Sequence, residues 1–216
     1  MARTTSAEPR KLPRQRRSAE TVERILAAAA RIFDERGYAG TTTNHVAETA
    51  GVSIGSLYQY FPNKDALLVA LAEGHVDEVA ARFSDRLAAL RRDEPDPADT
   101  VRALLELTVE LNDTSRLHAI LFSDCPRTPA LTERLGRFSD LLVGEVAWHL
   151  ERTGTGDADP QLRARPVVAA VDAAVHEVVL AHPPGPERRR ATDALVTLTV
   201  EGLTGAAQVP SRPAFQ

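Results

Sequence analysis

Residues able to do chemistry are sparse in this 216-residue chain, and their spacing decides among the options. Gly51-Val52-Ser53-Ile54-Gly55 matches G-x-S-x-G, the turn that exposes a serine nucleophile in hydrolases. That turn needs a strand before the serine. The residues before Gly51 read as helix, so Ser53 is expected to be an N-cap instead. His176-Glu177 and His182 carry the residue types of a zinc-protease helix. Their six-residue separation, however, puts the histidines on opposite sides of a helix, where a shared metal needs a spacing of four. The remaining histidines form no ligand cluster, and Asn112-Asp113-Thr114 matches a glycosylation acceptor by chance composition. Cys125 is the only cysteine, which excludes an internal disulfide framework and a four-cysteine zinc site. Before Pro126, with only Arg127 nearby to lower its pKa, it reads as a small packed residue. No catalytic residue, metal or cofactor is expected, and the chain is not expected to be an enzyme.

A different chemistry fits Thr41 to Lys64. Thr43, Ser53, Ser56, Tyr58, Tyr60 and Lys64 offer hydroxyls or a cation to phosphates, and the amides of Asn44 and Gln59 can pair with adenine. Helical spacing must carry them. Val22, Ile25, Leu26, Ala29, Ile32 and Phe33 recur at that spacing after the possible N-cap Ser18, and Gly37 supplies a left-handed stop. A short helix capped by Thr42 or Thr43 then presents Val46, Ala47 and Ala50 and breaks at Gly51. Ser53 caps a third helix carrying Leu57, Tyr60 and Phe61; Pro62 ends it, and Asn63 caps the next. Two short helices around a glycine turn, braced by an apolar helix, form a helix-turn-helix whose second helix can lie in a DNA major groove.

The rest also reads as helix. A fourth helix spans about Lys64 to Arg92, followed by the linker Asp93-Glu94-Pro95-Asp96-Pro97 and helices near 98–113, 115–124, 128–153, 160–182 and 187–206. Leu195 to Val200 alternates like a strand, but Ala191, Ala194, Leu195, Leu198 and Gly202 keep the 3–4 spacing, and a lone strand has no partner. The fold class is therefore all-α.

Composition agrees with a soluble chain, 43% apolar and 26% charged. No stretch is apolar enough to span a bilayer, and the basic, polar start lacks a secretory core, so a cytoplasmic location is expected. Net charge is −4 overall, yet residues 1–18 hold Arg3, Arg10, Lys11, Arg14, Arg16 and Arg17 against Glu8 alone. A basic, disordered arm on an acidic body suggests a polyanion met at one end.

The stretch ILAAAARIFDERGYAGTTTNHVAETAGVSIGSLYQYFPNKDALL, with its G-V-S-x-G-S-L-Y-x-Y-F-x-N-K core, resembles the DNA-binding domain of the tetracycline-repressor (TetR) family of bacterial transcription regulators over about residues 19–70. The resemblance implies an N-terminal three-helix DNA-binding domain (19–65, helix-turn-helix about 42–61) after the arm 1–18. A long fourth helix would join it to a helical effector-binding and dimerisation domain (66–216). It implies that Thr42 and Thr43 lie at the phosphate contact opening the second helix and that Asn44 approaches a base. Ser53 opens the recognition helix, on which Ile54, Gly55, Ser56 and Gln59 face the groove while Tyr58 and Tyr60 anchor the backbone. Lys64 holds a further phosphate beside a helix dipole. Ile54 stands where family members often carry a polar residue, and the recognition helix has no Arg or Lys between Ser53 and Phe61. The arginine arm is therefore expected to add affinity from an adjacent minor groove.

By the same resemblance a pocket lies among the helices of about 98–153. Its candidates are Leu107, Leu111, His118, Phe122, Phe138, Leu142 and Trp148, with Asn112, His149 and His176 as polar contacts; a small apolar or aromatic effector is expected. Val171, Val175 and Val178, with Ala191, Ala194, Leu195, Leu198 and Gly202, form apolar or small-residue faces. Two such helices per subunit would make a four-helix dimer interface, as in resembling proteins, or ordinary core of a monomer. The function implied is a homodimeric repressor of a palindromic operator in double-stranded DNA, released by the ligand and acting away from membranes. The alternative is a small-molecule-binding helical protein with only weak, non-specific DNA affinity.

Overall fold

The computed structural model describes residues 16–112, 116–153 and 159–204; the arm over 1–15 lies outside them. Among these residues every element is helical: α1 (Arg16–Gly40), α2 (Thr43–Ala50), α3 (Ile54–Tyr60), α4 (Lys64–Asp93), α5 (Pro97–Asn112), α6 (Arg116–Ser123), α7 (Pro129–Thr153), α8 (Pro160–Ala174) and α9 (Pro186–Thr204). A π-helical turn, Val175–Val179, follows α8. The helices form two compact units. The first reaches to Arg82 and includes Asn112–Phe138; the second holds Phe83–Leu111 and the residues from Ser139 on. The sequence expectation divided the chain at residue 65. The first unit takes in α6 as well, because Ile120 sits in its core and the Leu117 amide donates to the Asp34 carboxylate of α1 at 3.0 Å.

In the first unit, Ile25, Ala29, Ile32 and Phe33 of α1 bury the apolar sides of α2 (Val46, Ala47) and α3 (Leu57) together with Phe61, Leu67 and Leu68. Helices of eight and seven residues are too short to persist alone, so this burial and their end contacts must hold them. Helical backbone in α1 breaks at Gly37, where φ 72 and ψ 174 lie in a region open almost only to glycine rather than in the left-handed helical region. The buried Thr41 hydroxyl closes the break by donating to the Gly37 carbonyl at 2.7 Å.

The start of α4 is tied back to the same corner. Lys64 donates to the Tyr38 carbonyl at 3.0 Å and lies 3.9 Å from the Tyr38 ring centroid. The Tyr38 hydroxyl donates to Asp65, and Asn63 caps α4 by accepting from the Ala66 amide at 2.8 Å. Burial first, then the Asp65 hydrogen bond, pushes the Tyr38 phenol up to about 12.

In the second unit, Val143, Ala147, Leu150 and Ala164 form one core and Leu105, Val175 and Val196 another. The expected continuous helix over 160–182 instead ends at Ala174 and widens, with the Leu180 amide reaching the Val175 carbonyl at 2.9 Å. Leu195 to Val200 is helix, as the 3–4 spacing required. Its β-branched residues fit because Thr197 and Thr199 donate to the carbonyls of Asp193 and Leu195, at 3.0 and 2.7 Å.

Two outcomes follow from these contacts. Tyr38 keeps its proton while folded, so its stabilising effect is intact below pH of about 10 and is lost as pH rises through about 12. In a near-ultraviolet phenolate titration, a step near pH of about 12 is expected, and Tyr38→Phe removes it; a titration curve unchanged at that pH by Tyr38→Phe would contradict it. At Gly51, φ is +63 and a Cβ would meet nothing within 4 Å, leaving conformation as the only penalty. Gly51→Ala is expected to cost about 1–2 kcal/mol in urea unfolding with an unchanged denaturant slope.

Candidate nucleic-acid interface

The two helix starts are built from side-chain caps. Thr42 opens α2 by accepting from the His45 amide at 3.3 Å. Ser53 opens α3 by accepting from the Ser56 amide at 3.0 Å, with the two serine hydroxyls 2.8 Å apart. Ser53 is thus occupied as a cap, with a helix before it and no strand. Between the caps, Gly51 takes the left-handed conformation, and its amide and that of Val52 close the end of α2 onto Glu48 and Ala47 at 3.1 and 3.0 Å.

This geometry sorts the candidate residues. On α3, Leu57 is fully buried, and Phe61, the residue that caps its end, is buried with it; Ile54, Gly55, Tyr58 and Gln59 are exposed and share the opposite side of the helix. The exposed Tyr58 hydroxyl lies 3.0 Å from that of Thr43, which brings two phosphate candidates from different helices into one hydrogen-bonded pair. Asn44 is exposed in the first turn of α2. Tyr60 is drawn inward against the apolar core, and Ser56 is half-buried. Lys64 has one ammonium hydrogen committed to the Tyr38 carbonyl.

Sequence reasoning missed several contributors. Arg24 of α1 donates to the carbonyls of Ala50 and Gly51 at 3.0 and 3.2 Å, and Arg36 pairs with His45 at 3.3 Å. Tyr38 and Asp65 complete the contact with Lys64. No local spacing links residues 26 positions apart, as Arg24 and Ala50 are. The only signal for them is that these polar residues flank the apolar stripe of α1.

The other candidates fall apart by unit. Asn112 belongs to the first, where its side chain meets His75 at 3.3 Å, as does Phe138. The side chains of His118 and Phe122 lie outside the described residues. Leu107, Leu111, Leu142, Trp148, His149 and His176 belong to the second. Within it, Trp148 and His149 join a charged cluster. The buried Glu145 accepts from Arg91 at 2.6 and 3.0 Å and lies 3.4 Å from His149, while Arg91 and Arg152 stand 4.8 and 5.1 Å from the Trp148 ring. Burial lowers the His149 pKa, outweighing the opposing pull of Glu145. His176 bonds the Asp172 carbonyl at 2.9 Å.

Of the proposed interface residues, Val175 is core, and Val171 and Leu195 pack against it. Val178 and Leu198 stand 52% and 66% exposed, Ala194 and Gly202 are exposed, and Ala191 is half-buried. Cys125 packs against the first unit's core, and burial pushes its thiol up to about 11.

Residues 25–71 match the profile of the bacterial regulatory proteins of the tetR family. The chain is 32% identical over 131 residues to the HTH-type transcriptional regulator CymR of Pseudomonas putida, covering 60% of this chain and 63% of that one. It is 38% identical over 123 residues to the HTH-type transcriptional regulator TtgR, also of Pseudomonas putida, covering 53% and 55%. The chain therefore spans between about half and two thirds of the length of the curated relatives it matches. Among solved structures, the multidrug binding protein EbrR complexed with imidazole is 27% identical with a TM-score of 0.57, over 82% of this chain and 93% of that one. The outward-facing α3, the capped glycine turn and these matches converge on one part of the chain: residues 25–71 are similar to the bacterial regulatory proteins of the tetR family.

Proposed function

We propose that this chain is a sequence-specific DNA-binding transcriptional regulator that acts as a homodimer on a palindromic operator and is released by a small apolar or aromatic ligand. The observation carrying the reading is the division of α3, whose Ile54, Gly55, Tyr58 and Gln59 are exposed while Leu57 is buried. A recognition helix needs such an outer side, because base edges are read by side chains that the core does not hold. Asn44 and Gln59 are the base readers in this reading, each by a bidentate amide to adenine, and Ile54 contributes apolar contact to a thymine methyl. Thr43 and Tyr58 set the register on phosphate.

The exposed Val178 and Leu198 support a second copy as the cover for the last helices, with Ala194 and Gly202 permitting close approach. The ligand class is carried over from the likeness to the tetR family and to EbrR, a multidrug binding protein. Ligand binding would favour a separation of the two recognition helices that no longer fits successive major grooves.

Selection of sites from random DNA duplexes at moderate salt tests the reading. Recovery of one palindrome is the expected outcome, with a dimer by sedimentation. Asn44→Ala and Gln59→Ala should then each cost about 1–3 kcal/mol and relax one base position in each half-site. Weak binding without enrichment for any sequence would instead favour a small-molecule-binding protein whose DNA affinity is non-specific, a reading consistent with the absence of Arg and Lys from α3.

A further inference from the structure

The turn between α2 and α3 is held from outside as well as by its own backbone. Gly51 and Val52 close α2 through their amides, a local contact that fixes the turn relative to α2 alone. The guanidinium of Arg24 reaches across from α1 to the carbonyls of Ala50 and Gly51, which directly precede Val52 and the N-cap Ser53. A cation at that helix end also meets the negative pole of α2. Burial of Leu57 and Phe61 sets how deep α3 sits, and apolar contacts of this kind are not directional. The charge-assisted tether at the entrance to α3 adds a directional contact to α1.

We propose that Arg24 is a positioning residue for sequence readout: it fixes the entry of the recognition helix relative to α1 without itself binding phosphate. The inference rests on the DNA-binding reading above. Base contacts tolerate little displacement, since bidentate amide pairing requires the side chain to be held close to its productive geometry. Loss of the tether should therefore weaken specific binding and leave non-specific binding almost intact.

The test uses the full chain and a duplex selected by the native protein, with Arg24→Gln and Arg24→Lys as variants. Helix content and unfolding midpoint are measured first, and Arg24→Lys supplies a well-folded comparison that keeps a donor. Arg24→Gln is expected to bind the selected duplex roughly tenfold more weakly, as loss of a charge-assisted contact implies, with unrelated duplex affected little. Its slope of log affinity against log salt should stay unchanged, and Arg24→Lys should recover part of the loss. An equal loss on both duplexes, with the slope reduced by about one, would make Arg24 a phosphate contact and overturn the proposal. Unchanged affinity in Arg24→Gln would overturn it too.

Amide hydrogen exchange, measured without DNA, separates this inference from the functional reading. Faster exchange at residues 51–57 in Arg24→Gln, with Ile32 and Phe33 unchanged, supports the tether even if the native chain selects no duplex. In that case the DNA reading alone falls. Unchanged exchange across the turn would remove the tether itself.

Discussion

The exposed side chains of the helix-turn-helix hang on two helices that cannot exist by themselves. With eight and seven residues, α2 and α3 leave most of their backbone end groups without a partner inside the helix. Each end is met by a specific group: Thr42 and Ser53 at the starts, the Gly51 and Val52 amides and Arg24 around the turn. The apolar contribution comes from α1, whose Ile25, Ala29, Ile32 and Phe33 give both helices a common wall. Helix, turn and exposed surface are consequently one cooperative object. A change at a cap alters the presentation of side chains several residues away.

This dependence explains what could be read from the sequence. The caps and glycines were legible because their signals are local: a hydroxyl before an apolar period, a glycine where φ must be positive, a proline after Phe61. The existence of α1 through α9 followed from period, and the threonine-rich end of the chain was settled by 3–4 spacing over β-propensity. What stayed hidden was polar and long-range. Arg24 with Ala50, Asp34 with Leu117 and Lys64 with Tyr38 each join residues more than twenty positions apart, and polar residues carry no period that would announce a partner. The π-helical turn at Val175–Val179 was also invisible, since a valine-rich run looks the same to a periodicity argument with or without one inserted residue.

In the second unit, the ligand candidates Trp148 and His149 also belong to a cluster built on the buried Glu145. A carboxylate removed from water needs a cation and hydrogen bonds, and the Arg91 guanidinium supplies both to Glu145. The same guanidinium lies 4.8 Å from the Trp148 ring, so the indole helps to hold the arginine that neutralises the acid. Any ligand contact by Trp148 must come from the part of the ring that its two arginines leave accessible.

Charge placement sets the last constraint. Affinity for DNA comes mainly from neutralised phosphates, and α3 brings no cation of its own. Among the described residues, Arg24, Arg36 and Lys64 are engaged with groups at or beside the helix-turn-helix: the turn carbonyls, His45, and the Tyr38 carbonyl and ring. A cation committed to one protein acceptor still contributes long-range potential, but its orientation is fixed by the fold. In the proposed reading, readout and attraction are divided. The uncharged outer side of α3 would discriminate among bases, while charge from α1 and the start of α4 would act mainly by keeping that side in place. Such an interface would gain specificity from rigidity rather than from the number of its phosphate contacts, which would make a recognition helix without arginine a workable solution.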